Sequence, residues 1–242
     1  MTDSGNTVFR LTRDNEYRRA GPTDLIQLDP APGTNPLFFH KWVLETLVWG
    51  ICAHEFIHVS GPTGSAKTSL LEALHQVPAN FAAICAGMGV KPLPLQLYPI
   101  ELVVYETPGE LWQRRALKAG STVDEWSCLV EALRDAAAGE GLGYPLIWLR
   151  EIGRVHSGSV QGGLLNLMTR GDILLPDGTS IDGRGIAWVA DSNYQSDGES
   201  RHVLVEFDDA LKRRFTVNLT FNWLPAEDEV CILEHIVNGG YL

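Results

Sequence analysis

Apolar and polar positions change period several times along this chain, and the changes divide it into alternating helix and strand candidates. From Leu37 to about Cys52, Phe38, Trp42, Leu44, Leu47, Val48 and Ile51 recur at three- and four-residue spacing, which predicts an amphipathic helix packed on a core. Phe56-Ile57-His58-Val59-Ser60 is a short apolar run that predicts a strand, and Ser69-Leu70-Leu71-Glu72-Ala73-Leu74 opens a helix to about Gln76. Residues Pro78 to Pro99 are rich in Gly and Pro and poorly periodic, so they read as an insertion of loops or short elements. Glu101 to Tyr105 predicts a short strand. Glu110 to Lys118 and Asp124 to Ala138 carry helical spacing, and Pro145-Leu146-Ile147-Trp148-Leu149 predicts a buried strand. Leu164, Leu165, Leu167 and Met168 belong to a further helix. Asp172-Ile173-Leu174-Leu175, the turn Pro176-Asp177-Gly178 and Thr179-Ser180-Ile181 predict a β-hairpin, followed by a buried strand from Gly185 to Ala190. Strands alternating with helices imply an α/β fold, a parallel sheet with helices on both faces.

Residues 1–36 are polar and interrupted by Gly21-Pro22, Pro30, Pro32 and Pro36, which reads as an extended N-terminal arm before a domain spanning 37–242. A chain of 242 residues can bury one sizeable core. The net charge of −11 and pI near 5.0 argue against a nucleic-acid surface, which is normally basic. Cys52, Cys85, Cys128 and Cys231 lie far apart in sequence without metal-type pairing and read as reduced thiols of a cytoplasmic protein. The first residues lack the basic and apolar regions of a signal peptide. The longest apolar stretch, Leu37 to Ala53, is interrupted by His40, Lys41 and Glu45, so no membrane span is expected.

The strongest chemical signal is Gly61-Pro62-Thr63-Gly64-Ser65-Ala66-Lys67-Thr68, set between the Phe56 strand and the helix that continues through Ser69. Strand, glycine-bearing loop ending in Lys-Thr, and helix form a phosphate-binding loop. Its backbone N–H groups and helix N-terminus face phosphates, Lys67 reaches the β and γ groups, and the Thr68 hydroxyl ligates Mg2+. The pattern has glycine before the lysine, and Ala66 keeps the turn if its φ stays negative. Downstream, Leu146 to Leu149 leads into Arg150-Glu151, where a second acidic element belongs. Glu151 takes the place of the carboxylate that polarises attacking water, and Arg150 stands where a magnesium-associated Asp is usual.

In this order and spacing the motifs resemble the AAA+ P-loop ATPases, most closely the MoxR-like group that includes the NorQ and CbbQ type activators. Glu151-Ile152-Gly153-Arg154, then Val160-Gln161, Leu164-Leu165 and Met168, look like that group's Walker B exit and following helix. The hairpin from Asp172 to Ile181 resembles its insertion before sensor 1, and Ala190-Asp191-Ser192-Asn193 is similar to the sensor 1 motif with Asn193 as the polar sensor. Phe207 to Phe215 resembles the segment carrying the arginine finger, with Arg214 preferred and Arg213 second. Ala before the loop lysine also occurs in this group. The resemblance covers roughly residues 37 to 235. It implies ATP with Mg2+ as ligands, a ring of copies of the chain, taken as a hexamer, and a partner protein that is remodelled or activated.

Two departures bear on activity. Arg150 removes a carboxylate from the metal side of the site, and only about 27 residues follow Phe215, enough for one strand and one helix from Glu227 to Val237. The helical lid with its second sensor arginine is therefore read as missing or truncated. Both favour an alternative, a non-hydrolysing nucleotide-binding regulatory or scaffold subunit. A third pattern is a decoy. His54-Glu55-Phe56-Ile57-His58 fits the zinc-protease HExxH motif, but His58 lies in a predicted strand, where residues four apart are separated by roughly 13 Å and cannot share an ion.

Overall fold

The computed structural model describes residues 25–30, 34–118, 120–139, 141–155, 157–193 and 208–238. The chain begins there with a small antiparallel pair, β1 (Leu25–Leu28) and β2 (Leu37–His40), in which Leu25 lies opposite His40. Leu28 is fully buried, so the end of the segment read as an arm packs on the core. The first helix, α1, is Lys41–Cys52 rather than starting at Leu37, because Leu37-Phe38-Phe39-His40 is extended and paired, as aromatic residues in a half-buried run favour. Then follow β3 (Phe56–Gly61), α2 (Lys67–Gln76), α3 (Pro78–Gly87) and β4 (Leu95–Glu101).

The last two elements decide the reading of Pro78 to Pro99 as loops or short elements in favour of a helix and a strand. Pro78 sits at the first helical position, where its missing N–H costs nothing, and an alanine-rich stretch carries α3 onward. Pro99 lies inside β4, which among the described strands is an edge strand bonded only to β7, the place where a sheet tolerates proline. The strand expected at Glu101 to Tyr105 therefore lies earlier, and Leu102–Val104 is a 3₁₀ turn. The helix expected from Glu110 to Lys118 is also absent. A 3₁₀ turn at Pro108–Leu111 leads into a hairpin of β5 (Gln113–Lys118) and β6 (Ser121–Trp126), with Gly120 at φ +81 in its connection. Directly opposed pairs, Arg114 with Glu125 (3.5 Å) and Arg115 with Asp124 (3.8 Å), match charge across the hairpin and override the local helical spacing.

Helix α4 is Cys128–Ala138, four residues shorter than expected, because Ser127 caps it: its Oγ accepts from the Val130 N–H and donates to the Leu111 carbonyl. Strand β7 (Tyr144–Arg150), helix α5 (Gly158–Leu167), the hairpin β8 (Asp172–Leu174) and β9 (Ser180–Asp182), and β10 (Ala187–Asn193) follow the predicted order. After residue 207 come the single turn α6 (Asp209–Lys212), β11 (Val217–Thr220) and α7 (Ala226–Asn238).

Five strands form one parallel sheet in the order β11-β3-β10-β7-β4. From Tyr144 to Leu149 every residue of β7 is buried, as a central parallel strand covered on both faces requires. On one face Ile57, Val59, Trp148 and Val189 pack with α1, α2 and α3 through Leu47, Leu70, Leu74 and Phe81. On the other, Phe56, Ile147, Leu149 and Trp188 pack with α4, α5 and α6 through Leu133, Leu164 and Leu211. Helix α7 returns to the first hairpin: His235 Nε2 lies 2.7 Å from Gln27 Oε1, and Asp228 lies 3.7 Å from buried His40. Among the described residues no helix is long and apolar enough to cross a membrane.

Candidate functional site

In an open parallel sheet ligands bind beyond the carboxyl ends of the strands, where the loops leave the core. Here that edge gathers the ends of β3, β10 and β7. Strand β3 ends at Gly61, paired in register with Asn193, the last residue of β10. A Cβ on Gly61 would lie 2.4 Å from the Phe221 carbonyl oxygen, so only glycine lets the loop leave beside the end of β11. Gly64 has φ +84, a conformation that favours glycine.

Ala66 departs from the sequence expectation. Its φ is +62 rather than negative, and it sits in the left-handed region as the residue preceding α2. The loop has therefore kept the backbone shape of the glycine version, at a cost of roughly 1–2 kcal/mol for a residue with a Cβ. Ser65 Oγ donates to the Pro62 carbonyl (2.9 Å). Buried Lys67 donates from Nζ to the Gly61 carbonyl (2.8 Å), the Pro62 carbonyl (2.7 Å) and Ser65 Oγ (3.3 Å). Burial pulls the Lys67 ammonium below its usual range, partly opposed by the Asp191 charge.

One cleft is lined by Thr63 through Ser69, Arg150, Glu151, Asp191 and Asn193. The structure thus brings Lys67, Thr68, Ser69, Glu151 and Asn193 to one cleft, while Gly61 and Pro62 lie outside its lining. Glu151, at φ +54, turns the chain out of β7, and Arg154 Nη1 holds its carboxylate at 2.9 and 3.1 Å. Arg150 pairs with Glu101 at the end of β4, and its guanidinium lies 4.8 Å from the centre of the Trp148 ring. Arg213 and Arg214 are exposed in the turn after α6 and do not line this cleft; Phe207 lies outside the described residues.

Sequence reasoning missed two features. Asp191, two residues from Asn193, is a buried carboxylate in the cleft. Burial pushes its pKa up, while hydrogen bonds from Trp148 Nε1 (2.7 Å) and the Glu151 backbone and the charges of Lys67 and Arg150 oppose the rise. The second feature is an aromatic pocket beside the loop, lined by Phe38, Phe39, Trp42, Phe221 and Trp223 and sharing Gly64, Ser65 and Ala66 with the cleft. Its walls suit a flat heterocycle stacked beside a phosphate chain. The clusters Phe38-Phe39 and Phe221-Asn222-Trp223 were visible as aromatic pairs, but only β2 and β11 bring them to one place.

The zinc reading finds no support in geometry. His54 lies in a turn at φ +55, whereas His58 lies within β3 with Nε2 2.8 Å from Ser192 Oγ. Among the described residues no three His, Cys, Asp or Glu side chains group as a metal site. The oxygens lining the cleft, the Thr68 hydroxyl with the Glu151 and Asp191 carboxylates, suit a hard, hydrated cation that keeps several waters and phosphate oxygens.

No family profile and no curated protein matches the sequence. Among solved structures, the chain is similar to a protein of Cytophaga hutchinsonii provisionally described as an ATPase, with 17% identity and a TM-score of 0.52. The likeness covers 82% of this chain, which spans about half (51%) of that protein. What the likeness shows is the fold, an α/β architecture with a parallel sheet between two layers of helices.

Proposed function

We propose that this chain is an ATP-binding and ATP-hydrolysing module of the AAA+ type, similar to the MoxR-like group, that assembles with copies of itself and remodels or activates a partner protein. The observation that carries the reading is the convergence of Lys67, Thr68, Glu151 and Asn193 on one cleft beside an aromatic pocket, at the carboxyl edge of the sheet. Lys67 would exchange the Gly61 and Pro62 carbonyls for β and γ phosphate oxygens. The N–H groups at the start of α2 would face the same anion. Thr68 would hold Mg2+, which when bound neutralises part of the triphosphate charge. Glu151 would accept the proton of the attacking water, and Asn193 would orient that water or the γ-phosphate. The provisional description of the Cytophaga hutchinsonii protein as an ATPase agrees with this reading.

Ring assembly draws support from two surface features. Arg213 and Arg214 are exposed and outside their own cleft, as a finger directed at a neighbour's phosphates would be. Val230, Leu233 and Val237, spaced to share one side of α7, are 52–61% exposed. A second reading, a nucleotide-binding subunit that does not hydrolyse, is favoured by the hold of Arg154 on Glu151 and by the cation at Arg150.

The test is titration with a fluorescent ATP analogue alongside magnesium-dependent phosphate release. Lys67→Ala should weaken binding about 10- to 100-fold, the value of a charged hydrogen bond of about 1.5–3 kcal/mol. Unchanged affinity would refute the nucleotide site. Binding by the unmodified chain without phosphate release at any protein concentration would select the second reading.

A further inference from the structure

The metal side of the cleft is missing a carboxylate on β7, and the same level of the neighbouring strand supplies one. We propose that Asp191 on β10, together with the Thr68 hydroxyl, holds the divalent cation of a bound metal–triphosphate, in place of the residue occupied by Arg150. The inference rests on the nucleotide-binding reading above and assigns the metal within it.

Register places the two residues side by side. Ala190 pairs with Leu149 in the parallel ladder between β10 and β7. The next residues are Asp191 and Arg150, on strands roughly 4.8 Å apart. Alternation then fixes the face. Val189 and Trp148 pack in the core layer shared with α2, through Leu70, Leu71 and Leu74. Asp191 and Arg150, two residues farther along each strand, therefore point to that layer, whose helix begins with Lys67 and Thr68.

The two side chains meet opposite fates. Arg150 is drawn along the sheet edge to Glu101 and over the Trp148 ring. Asp191 is 5% exposed and still lines the cleft. Trp148 Nε1 donates to its Oδ1 at 2.7 Å, which orients the carboxylate. A carboxylate removed from water is costly unless a cation or donors compensate it. The nearest ammonium, Lys67, has its donors on the Gly61 and Pro62 carbonyls and Ser65 Oγ. A divalent cation between Asp191 and Thr68 would add to the charges of Lys67 and Arg150, with hard oxygen ligands of the kind it prefers. The cationic side chain thus stands at the end of β7 and the anionic one beside it on β10.

The experiment uses Mn2+ as a paramagnetic probe and ATPγS as a non-turnover nucleotide. Free Mn2+ is counted by electron paramagnetic resonance as it titrates the protein–nucleotide complex, and metal-free ATPγS affinity is measured separately in EDTA. Asp191→Asn keeps an acceptor for Trp148 and removes the charge. It should weaken Mn2+ binding at least about tenfold while metal-free ATPγS affinity changes less than about threefold. Asp191→Asn with Arg150→Asp, which moves the carboxylate one strand across, should recover most of the Mn2+ affinity. Asp191→Ser repeats the test if the amide variant does not fold. Mn2+ affinity within twofold of the unmodified complex in a neutral variant overturns the assignment and leaves the nucleotide site standing. Absence of ATPγS binding by the unmodified protein, with or without metal, overturns both.

Discussion

Acidification should destabilise this protein through one histidine behind the site. His58 lies in the middle of β3, between β10 and β11, with Nε2 2.8 Å from Ser192 Oγ and its ring centre 5.5 Å from that of Phe215. Burial lowers its pKa from 6.5 to about 4; the bond to Asn218 opposes the shift, and the charge of nearby Lys212 adds to it. Because the folded-state value is the lower one, the unfolded chain takes up a proton between about pH 6.5 and 4 while the folded chain does not. Stability therefore rises with pH across that window and is lost as pH falls through it. The full effect is about 3 kcal/mol at 1.36 kcal/mol per pH unit, and about 2 kcal/mol of it falls between pH 7.5 and 5. That is a large part of a marginal folding free energy of 5–15 kcal/mol. The assay is urea unfolding at half-unit pH steps for the unmodified chain and for His58→Gln, which retains a polar group for Ser192. Acidic side chains and other histidines titrate alike in both, so the difference isolates His58. The unmodified chain should lose about 2 kcal/mol more than the variant between pH 7.5 and 5. Parallel curves would refute the argument, since they would mean that His58 takes its proton as easily in the folded chain as in the unfolded one.

Two further outcomes test the loop and the assembly. Ala66→Gly should relieve the left-handed alanine and raise the melting temperature by a few degrees, at about 2–4 °C per kcal/mol for a chain this size, with ATP-analogue affinity retained; a lower melting temperature would mean that the φ of +62 carries no strain. ATP hydrolysis should rise more steeply than linearly with protein concentration. Arg214→Ala and Glu151→Gln should each be inactive but recover partial turnover when mixed, because a shared site can take Glu151 from one chain and Arg214 from the other. A monomer by light scattering with constant turnover per molecule excludes that arrangement.

The sheet strands were legible where burial is continuous. Tyr144 to Leu149 and Ala187 to Ala190 are enclosed on both faces, so their apolar runs survive any choice of partner. The misread segments depend on partners that lie elsewhere in the chain. Leu37 to His40 is extended because Leu25 to Leu28 pairs with it, and Pro99 is tolerated because, among the described strands, β4 has a neighbour on one side only. Gln113 to Lys118 looks helical until its charges meet Glu125 and Asp124 across a hairpin. Cys52 and Cys85, far apart in sequence, bring their Sγ atoms within 3.8 Å because α1 packs on α3. Periodicity reports which face of an element is apolar. It says little about which other element will cover that face.

The site divides along the same line. Gly61 to Thr68 could be read directly because one loop fixes its own geometry, and Glu151 and Asn193 because each stands at the end of a continuous apolar strand. Asp191 is two residues from Asn193, with no motif of its own to mark it. What sets it apart is its place beside Arg150 in register and the bond it accepts from Trp148, 43 residues away in sequence. A one-residue change in pairing would place Asp191 on the opposite face, among Phe56, Trp188 and the α4–α5 layer, where a carboxylate would have no cleft to enter. The cation at Arg150 therefore has a carboxylate beside it on the next strand, and the metal proposed at Asp191 rests on that neighbour rather than on β7 alone.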